Sequence, residues 1–211
     1  MLNSVASRSD SPPQIRSIHS SDLPALYRIC HATGWRGRDA SGKIADPDLI
    51  GHCYVGPYAV LEPHHGFVAV DRTELVGYVV TTMDSVRFHQ RTEALWFPPL
   101  RSRYPEPRPE DDSPTATFVR ALHRGHPPAP GINLTEYPAH LHINLLPSAQ
   151  RRGIGRRLVE TSFAALRKEA VAGVHLYVSS ENLDGIRFYE RLGFQPIDVQ
   201  PRTLGFGYRL T

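Results

Sequence analysis

Two histidines in a predicted strand and a glycine-containing loop shortly after them are the strongest candidates for a chemical role in this sequence. His140 and His142 alternate with apolar residues in the segment 139–146, AHLHINLL, and Asn144 continues the series on the same face. A neutral imidazole, with a pKa of about 6.5, is suited to accept a proton at neutral pH. The loop 150–155, QRRGIG, follows shortly afterwards. This order places proton-accepting side chains upstream of a candidate anion site.

The loop 150–155 has the features of a pyrophosphate site. It lies between a predicted strand and a predicted helix, so unpaired N–H groups and the positive end of the helix dipole are available there. Glycines 153 and 155 would let the main chain approach an anion, and four arginines add positive potential: Arg151, Arg152, Arg156 and Arg157. A Walker loop needs Lys-Ser/Thr after its last glycine, and a Rossmann fingerprint needs glycine where Leu158 stands. An ordinary turn with solvated arginines remains the alternative.

A second segment makes the pattern far more specific. Residues 182–194 read NLDGIRFYERLGF. Together with the loop, this segment resembles the GCN5-related N-acetyltransferase (GNAT) superfamily, whose Q/R-x-x-G-x-G/A loop is followed by N-x-x-A-x-x-F-Y-x-x-x-G-F. Gly185 stands where alanine is usual, and the aliphatic pair and proline common before the loop are present at 145–147.

A closer likeness covers the stretch 138–158, PAHLHINLLPSAQRRGIGRRL, with WFPPLRSRYP at 96–105. Both resemble the acetyltransferase-like C-terminal domain of eukaryotic O-GlcNAcase. The 211 residues are too few for the glycosidase part as well. We therefore expect a free-standing relative of bacterial type.

The resemblance implies an α/β fold of GNAT type. This is a mixed six- to seven-stranded sheet with a splayed central strand pair, 139–146 and 174–178, and helices on both faces. It also implies acetyl-CoA as the cofactor. The implied cofactor contacts are Leu145, Leu146, Gln150, Arg151, Arg152, Gly153, Ile154, Gly155, Arg156, Asn182 and Tyr189.

The implied activity is transfer of acetyl from the thioester to a primary amine by direct attack in a ternary complex. Tyr189 matches the family tyrosine near the sulfur and is the expected acid. His142 and His140 are the candidate bases, and their H-L-H spacing resembles that of arylalkylamine N-acetyltransferases, although it lies one residue closer to the loop. The residues themselves leave alternatives open: packing roles for the histidines and Tyr189, and a helix cap for Asn182. A non-catalytic acetyl-CoA-binding or interaction module is the alternative function.

The order of helix-like and strand-like segments predicts a single domain over 14–211, after a disordered tail at 1–13. A hairpin is expected at 66–82, and a helix from the loop to about residue 170. The segment 86–138 is rich in proline, which excludes long helices and central strands. We therefore expect an irregular insertion there, with short helical pieces near 91–96 and 114–123.

Composition narrows the class of protein. Hydrophobic residues make up 40% and the net charge is +3, which favours a globular protein and gives no reason to expect nucleic-acid binding. An apolar run of about 20 residues, as a membrane span requires, is missing. Cys30 and Cys53 predict free thiols in a cytoplasmic protein, without metal-ligand spacing. The expected partners are an amine acceptor, either a small molecule or a protein lysine, and a second copy through an exposed C-terminal strand.

Overall fold

A mixed seven-stranded sheet forms the centre of the computed structural model, which describes residues 12–210. The expected tail at 1–13 lies almost wholly outside this range. The sheet order is β1-β2-β3-β4-β5-β7-β6, and every neighbouring pair is antiparallel except β4 and β5. The strands are β1 (Gln14–Ser17), β2 (Gly66–Asp71), β3 (Glu74–Thr82), β4 (Ala139–Leu145), β5 (Gly173–Ser179), β6 (Gln195–Gln200) and β7 (Thr203–Arg209). The predicted mixed α/β sheet is confirmed.

Helices cover both faces of the sheet, as predicted. They are α1 (Leu23–Thr33), α2 (Leu49–Tyr54), α3 (Gly56–Leu61), α4 (Ser85–Leu95), α5 (Phe97–Arg103), α6 (Pro114–Arg124), α7 (Ile154–Lys168) and α8 (Leu183–Leu192). One hydrophobic cluster joins α1–α6 to one face of the sheet, and a second joins α7 and α8 to the other. His140, His142 and Asn144 project towards the first layer, because alternate residues of a strand point to opposite faces.

The proline-rich segment is more regular than predicted. α4 begins at Ser85 because the side chain of Asp84 accepts hydrogen bonds from the N–H groups of Val86 and Arg87. Pro98 lies in the first turn of α5 and Pro114 opens α6. Proline is tolerated at these positions because the N–H groups of a first turn have no partner within the helix. The expectation of irregular chain is therefore wrong for residues 86–90 and 97–103, whereas the helical pieces expected near 91–96 and 114–123 correspond to the end of α4 and to α6.

The C-terminal strand is interior. β7 lies between β5 and β6, so β6 forms that edge of the sheet. The sequence-based expectation that the last strand offers an open edge is wrong, and any pairing with a second copy at this end would involve β6. Among the helices of residues 12–210, none has the length and apolar character to cross a membrane.

Candidate active site

A cleft opens where the two parallel strands separate. β4 and β5 pair at Ala139 with Val174 and at His140 with His175, and their described residues diverge beyond these two positions. The cleft has a volume of about 1580 Å³ and reaches from the α7 loop to the helices on the opposite face of the sheet. The splayed strand pair expected from the sequence is thus confirmed.

The main chain of β4 presents polar groups to this cleft. Leu146 N–H donates to the carbonyl of Val76 at 2.9 Å, which sets the even-numbered residues of β4 to bond β3. The N–H and C=O groups of Ile143 and Leu145 therefore point towards β5, into the cleft. The carbonyl of Leu146 accepts from Ala149 at 2.8 Å, so both main-chain groups of Leu146 are already engaged. The sequence analysis named Leu146 as a cofactor contact and did not name Ile143, whose orientation follows from the alternation of residues along the strand.

The loop before α7 leaves the start of that helix open. Gly153 precedes the helix with a left-handed φ of 75°, and a Cβ there would meet nothing within 4 Å among the described residues. Among the described residues, no side chain caps the first turn of α7, so the N–H groups of that turn are free to bind an anion. Gly155 serves a second purpose. A Cβ at this position would lie 3.1 Å from the ring of Phe188, so glycine lets α7 pack closely against α8.

The polar side chains of the loop differ in their partners. Arg152 forms an ion pair with Asp71 at 2.7 Å, and Arg156 reaches the carbonyl of Arg191 at 3.1 Å. Gln150 donates its side-chain amide to the carbonyl of Leu145 at 3.1 Å. Exposed pairs of this kind contribute little stability, so these side chains can exchange partners readily.

Both ring nitrogens of His140 form hydrogen bonds with neighbouring side chains. The hydroxyl of Ser85 donates to the carbonyl of Pro138 at 2.7 Å and lies 2.7 Å from Nδ1 of His140. Nδ1 must therefore carry the proton and donate to Ser85, which leaves Nε2 to accept from the hydroxyl of Tyr58 at 2.6 Å. Desolvation, followed by the nearby His175 ring, holds the pKa of His140 well below its usual value. This geometry favours the packing role for His140.

His142 differs in having a nitrogen to spare. Its ring stacks on Tyr54 with centroids 5.6 Å apart and planes 21° apart. Within residues 12–210 its Nε2 is buried and has no hydrogen-bond partner. The ring lies deep in the cleft, and this desolvation lowers the pKa of His142 to about 4. The imidazole is therefore neutral at pH 7 and can accept a proton.

Tyr189 and Asn182 complete the lining on the side of α8. The Tyr189 ring packs against Phe194 at 5.6 Å, and burial raises its pKa, so the hydroxyl keeps its proton. Asn182 caps α8, because its Oδ1 accepts from the N–H of Gly185 at 3.0 Å. The same contact explains the glycine at 185, since a Cβ there would lie 2.7 Å from Nδ2 of Asn182. Both residues also line the cleft. The packing of Tyr189 and the capping by Asn182 are therefore compatible with the contacts to the cofactor that the sequence analysis expects of them.

The model of the acetyltransferase (GNAT) family matches residues 35–194. The chain belongs to this family. Among the described residues, no group of three or more His, Cys, Asp or Glu side chains is arranged to hold a metal ion.

Known proteins resemble this member of the family to different extents. The crystal structure of SsHAT shares 39% identity with it, superposes with a TM-score of 0.89 and covers 95% of this chain and 100% of that one. PaiA N-acetyltransferase from Thermoplasma acidophilum, solved in complex with coenzyme A, shares the fold at 13% identity and a TM-score of 0.55, over 94% of this chain and 99% of that one. Protein O-GlcNAcase of Rattus norvegicus is 22% identical over 85% of this chain. The chain spans 20% of the length of that relative.

Proposed function

We propose that this protein is an acetyl-CoA-dependent N-acetyltransferase that transfers acetyl to a primary amine by direct attack in a ternary complex. The proposal depends chiefly on one observation: the ring of His142, whose buried Nε2 has no partner among the described residues, lines the same cleft as Ile143 and Leu145, whose main-chain groups point towards β5. The uncapped start of α7 opens on the same cleft. A proton acceptor, amide donors and an anion site therefore share one space.

The residues present fit the cofactor. Ile143 and Leu145 offer strand-like hydrogen bonds to the pantetheine arm, which can lie where β5 has moved away. The loop 151–156 offers main-chain N–H groups to the pyrophosphate, and the Nδ2 of Asn182 can donate to the pantetheine arm. The complex of the PaiA relative with coenzyme A supports this fit. When bound, acetyl-CoA supplies a thioester carbonyl that is open to attack by an amine.

Two side chains of the cleft would handle protons. His142 is neutral and would accept a proton from the attacking amine, directly or through a water molecule. Tyr189 stays protonated because its burial raises the pKa of the phenol, and it would donate to the departing sulfur. One of the two N–H groups, of Ile143 or Leu145, would hydrogen-bond the carbonyl oxygen as negative charge develops, and the other would remain for the pantetheine arm. His140, whose two nitrogens are occupied, would act by holding β4 against Tyr58 and Ser85.

One observation favours the non-catalytic alternative. Burial lowers the pKa of His142 to about 4, and an imidazole that holds a proton so weakly is a poor base. A module that binds acetyl-CoA without turnover would need the loop 150–155 and the β4 groups, but not His142. The two functions therefore differ in what they require of this one side chain.

A thiol-release assay with acetyl-CoA and a broad amine panel tests the proposal. We expect release with at least one amine and its loss in His142→Ala, while calorimetry shows unchanged acetyl-CoA affinity. Binding without release for any amine would make the non-catalytic module the better description. A cytoplasmic location and association with a second copy are further parts of the proposal, and size-exclusion chromatography would test the latter.

A further inference from the structure

The cleft extends beyond the cofactor loop into a compartment that we call the acceptor pocket. It lies on the face of β4 that carries the two histidines, under the helices of the first hydrophobic cluster, and its ring-bearing walls are formed by Trp35, Tyr54, Tyr58, Phe118, His126 and His142. Tyr54 is central, because its ring lies 5.6 Å from that of His142 and 6.1 Å from that of Phe118. Walls of this kind fit a flat apolar group.

The charges that line the whole cleft are strongly unbalanced. Its described lining contains eight arginines and only two carboxylates. Glu181 is already paired with Arg36, and Asp184 lies 4.0 Å from Arg187. Each carboxylate therefore has an arginine beside it, and the described lining holds no further acid for the ammonium group of a substrate.

The anionic cofactor accounts for only part of this positive charge. Arg151 and Arg156 flank the loop before α7, where the pyrophosphate would bind. Arg38 and Arg124 belong instead to the layer on the opposite face of the sheet. Both are exposed, and no side-chain hydrogen bond or ion pair joins either of them to another described residue. These two arginines are available to a different anionic group.

Both arginines lie beside the aromatic wall. Arg38 exchanges two main-chain hydrogen bonds with Trp35, at 2.9 and 3.0 Å, so the two residues stand side by side in the chain, and both line the cleft. Arg124 ends α6 on the neighbouring side. Arg124 and Tyr54 both line the cleft. The pocket thus combines flat apolar walls with unpaired positive charge.

We infer that the acceptor is a primary amine that carries both an aromatic ring and a carboxylate. An aromatic α-amino acid is the simplest molecule of this kind. The inference rests on the proposed function and narrows its acceptor. A protonated amine would be desolvated in this pocket, repelled by Arg38 and Arg124 and left without a carboxylate partner. The α-amine of an amino acid is also a weaker base than a lysine amine, whose pKa is about 10.4, so it loses its proton more easily. The carboxylate would meet the guanidinium groups.

A binding measurement tests the inference without requiring turnover. N-acetylphenylalanine and its amide, which differ in the carboxylate alone, are titrated into the protein by calorimetry with coenzyme A present. We expect the acid to bind roughly tenfold more tightly than the amide. Arg124→Gln and Arg38→Gln should each reduce that ratio, whereas Arg87→Gln, an exposed arginine of α4 outside the cleft, should preserve it. Equal affinity of acid and amide, or no binding of either, would overturn the inference.

Thiol release separates this inference from the proposed function. Phenylalanine should be acetylated with a higher kcat/KM than phenethylamine, a lysine-rich peptide or an aminoglycoside. Preference for one of the cationic acceptors would refute the inference and leave the proposed function intact. Release with no acceptor, while the acid still binds more tightly than the amide, would refute the proposed function and leave the inference about the ligand standing.

Discussion

His142 stacks on Tyr54 with the two ring planes only 21° apart. The contact fixes the imidazole orientation within the cleft, and its Nε2 has no partner among the described residues. Because this ring lines the cleft and its buried nitrogen has no partner, we propose that Nε2 accepts the substrate proton, directly or through a water molecule. The predictions about catalysis therefore begin with this residue.

We expect His142→Ala to lower kcat/KM by roughly a hundred- to ten-thousand-fold, the usual range for loss of a general base. Because burial lowers the pKa of His142 to about 4, the acid limb that it causes should lie near pH 4. An unperturbed histidine would place this limb at about pH 6.5. A pH–rate profile of wild type and variant measures it. A wild-type profile in His142→Ala would assign the residue to packing.

Tyr189→Phe removes one hydroxyl and keeps the ring that packs against Phe194. If Tyr189 protonates the leaving sulfur, kcat should fall by about a hundredfold or more, while acetyl-CoA affinity stays within a factor of two to three. Steady-state kinetics and calorimetry give the two values. Phe188→Leu, a change in the neighbouring ring, serves as a packing control and should affect stability more than kcat. Equal kcat in Tyr189→Phe and wild type would remove the acid from the mechanism.

Gly153→Ala should weaken acetyl-CoA binding by about tenfold or more, because a Cβ would project into the open space at the start of α7. Gly42→Ala is a matched control. Gly42 has a φ of 74° against 75° at Gly153, and its Cβ would likewise meet nothing within 4 Å among the described residues. Both changes carry similar backbone strain, so a difference in affinity reports on the site. Equal affinities measured by calorimetry would argue against a phosphate site at this loop.

The buried imidazoles should make the protein sensitive to acid. Desolvation lowers the pKa of both His126 and His142 to about 4, while in the unfolded chain each would titrate at about 6.5. Between these values the unfolded state binds more protons, so the free energy of unfolding falls as the pH falls from about 6.5 to 4.

Urea denaturation across this pH window measures the slope. His142→Gln should flatten it, because this change removes one of the two buried imidazoles. A slope that His142→Gln does not change would mean that His142 takes up its proton equally in the folded and unfolded states.

The resemblance to the GNAT superfamily implied the splayed strands, and the local pattern was enough to predict the cap at Asn182. The alternation in 139–146 determines which face His142 shares, and the motif at 182–194 places a helix start at Asn182. The saturation of His140 could not be predicted, because its partners Tyr58 and Ser85 come from distant parts of the chain. Whether a side chain has a hydrogen-bond partner depends on tertiary packing, and the sequence pattern within one strand carries no information about that packing.

The helix α4 is a different case, since its signal was local. Asp84 precedes Ser85 and caps the helix through two N–H groups. The proline content of the following segment outweighed this signal in the prediction, although Pro98 and Pro114 both fall in first turns, where proline starts a helix. The position of a proline relative to a cap matters more than the number of prolines.

The two pairs that join β4 to β5 also have a mechanical consequence. Ala139–Val174 and His140–His175 are the described ladder contacts between a four-stranded and a three-stranded half of the sheet. A ligand in the cleft would hold the two halves of the sheet together, because it would supply strand-like hydrogen bonds where the halves are least connected. Binding to the folded state raises the free energy of unfolding in proportion to ln(1 + [L]/Kd). A rise in the melting temperature would thus report that the cleft is occupied. Slower hydrogen exchange at the amides of Ile143 and Leu145 would show that the ligand binds along β4.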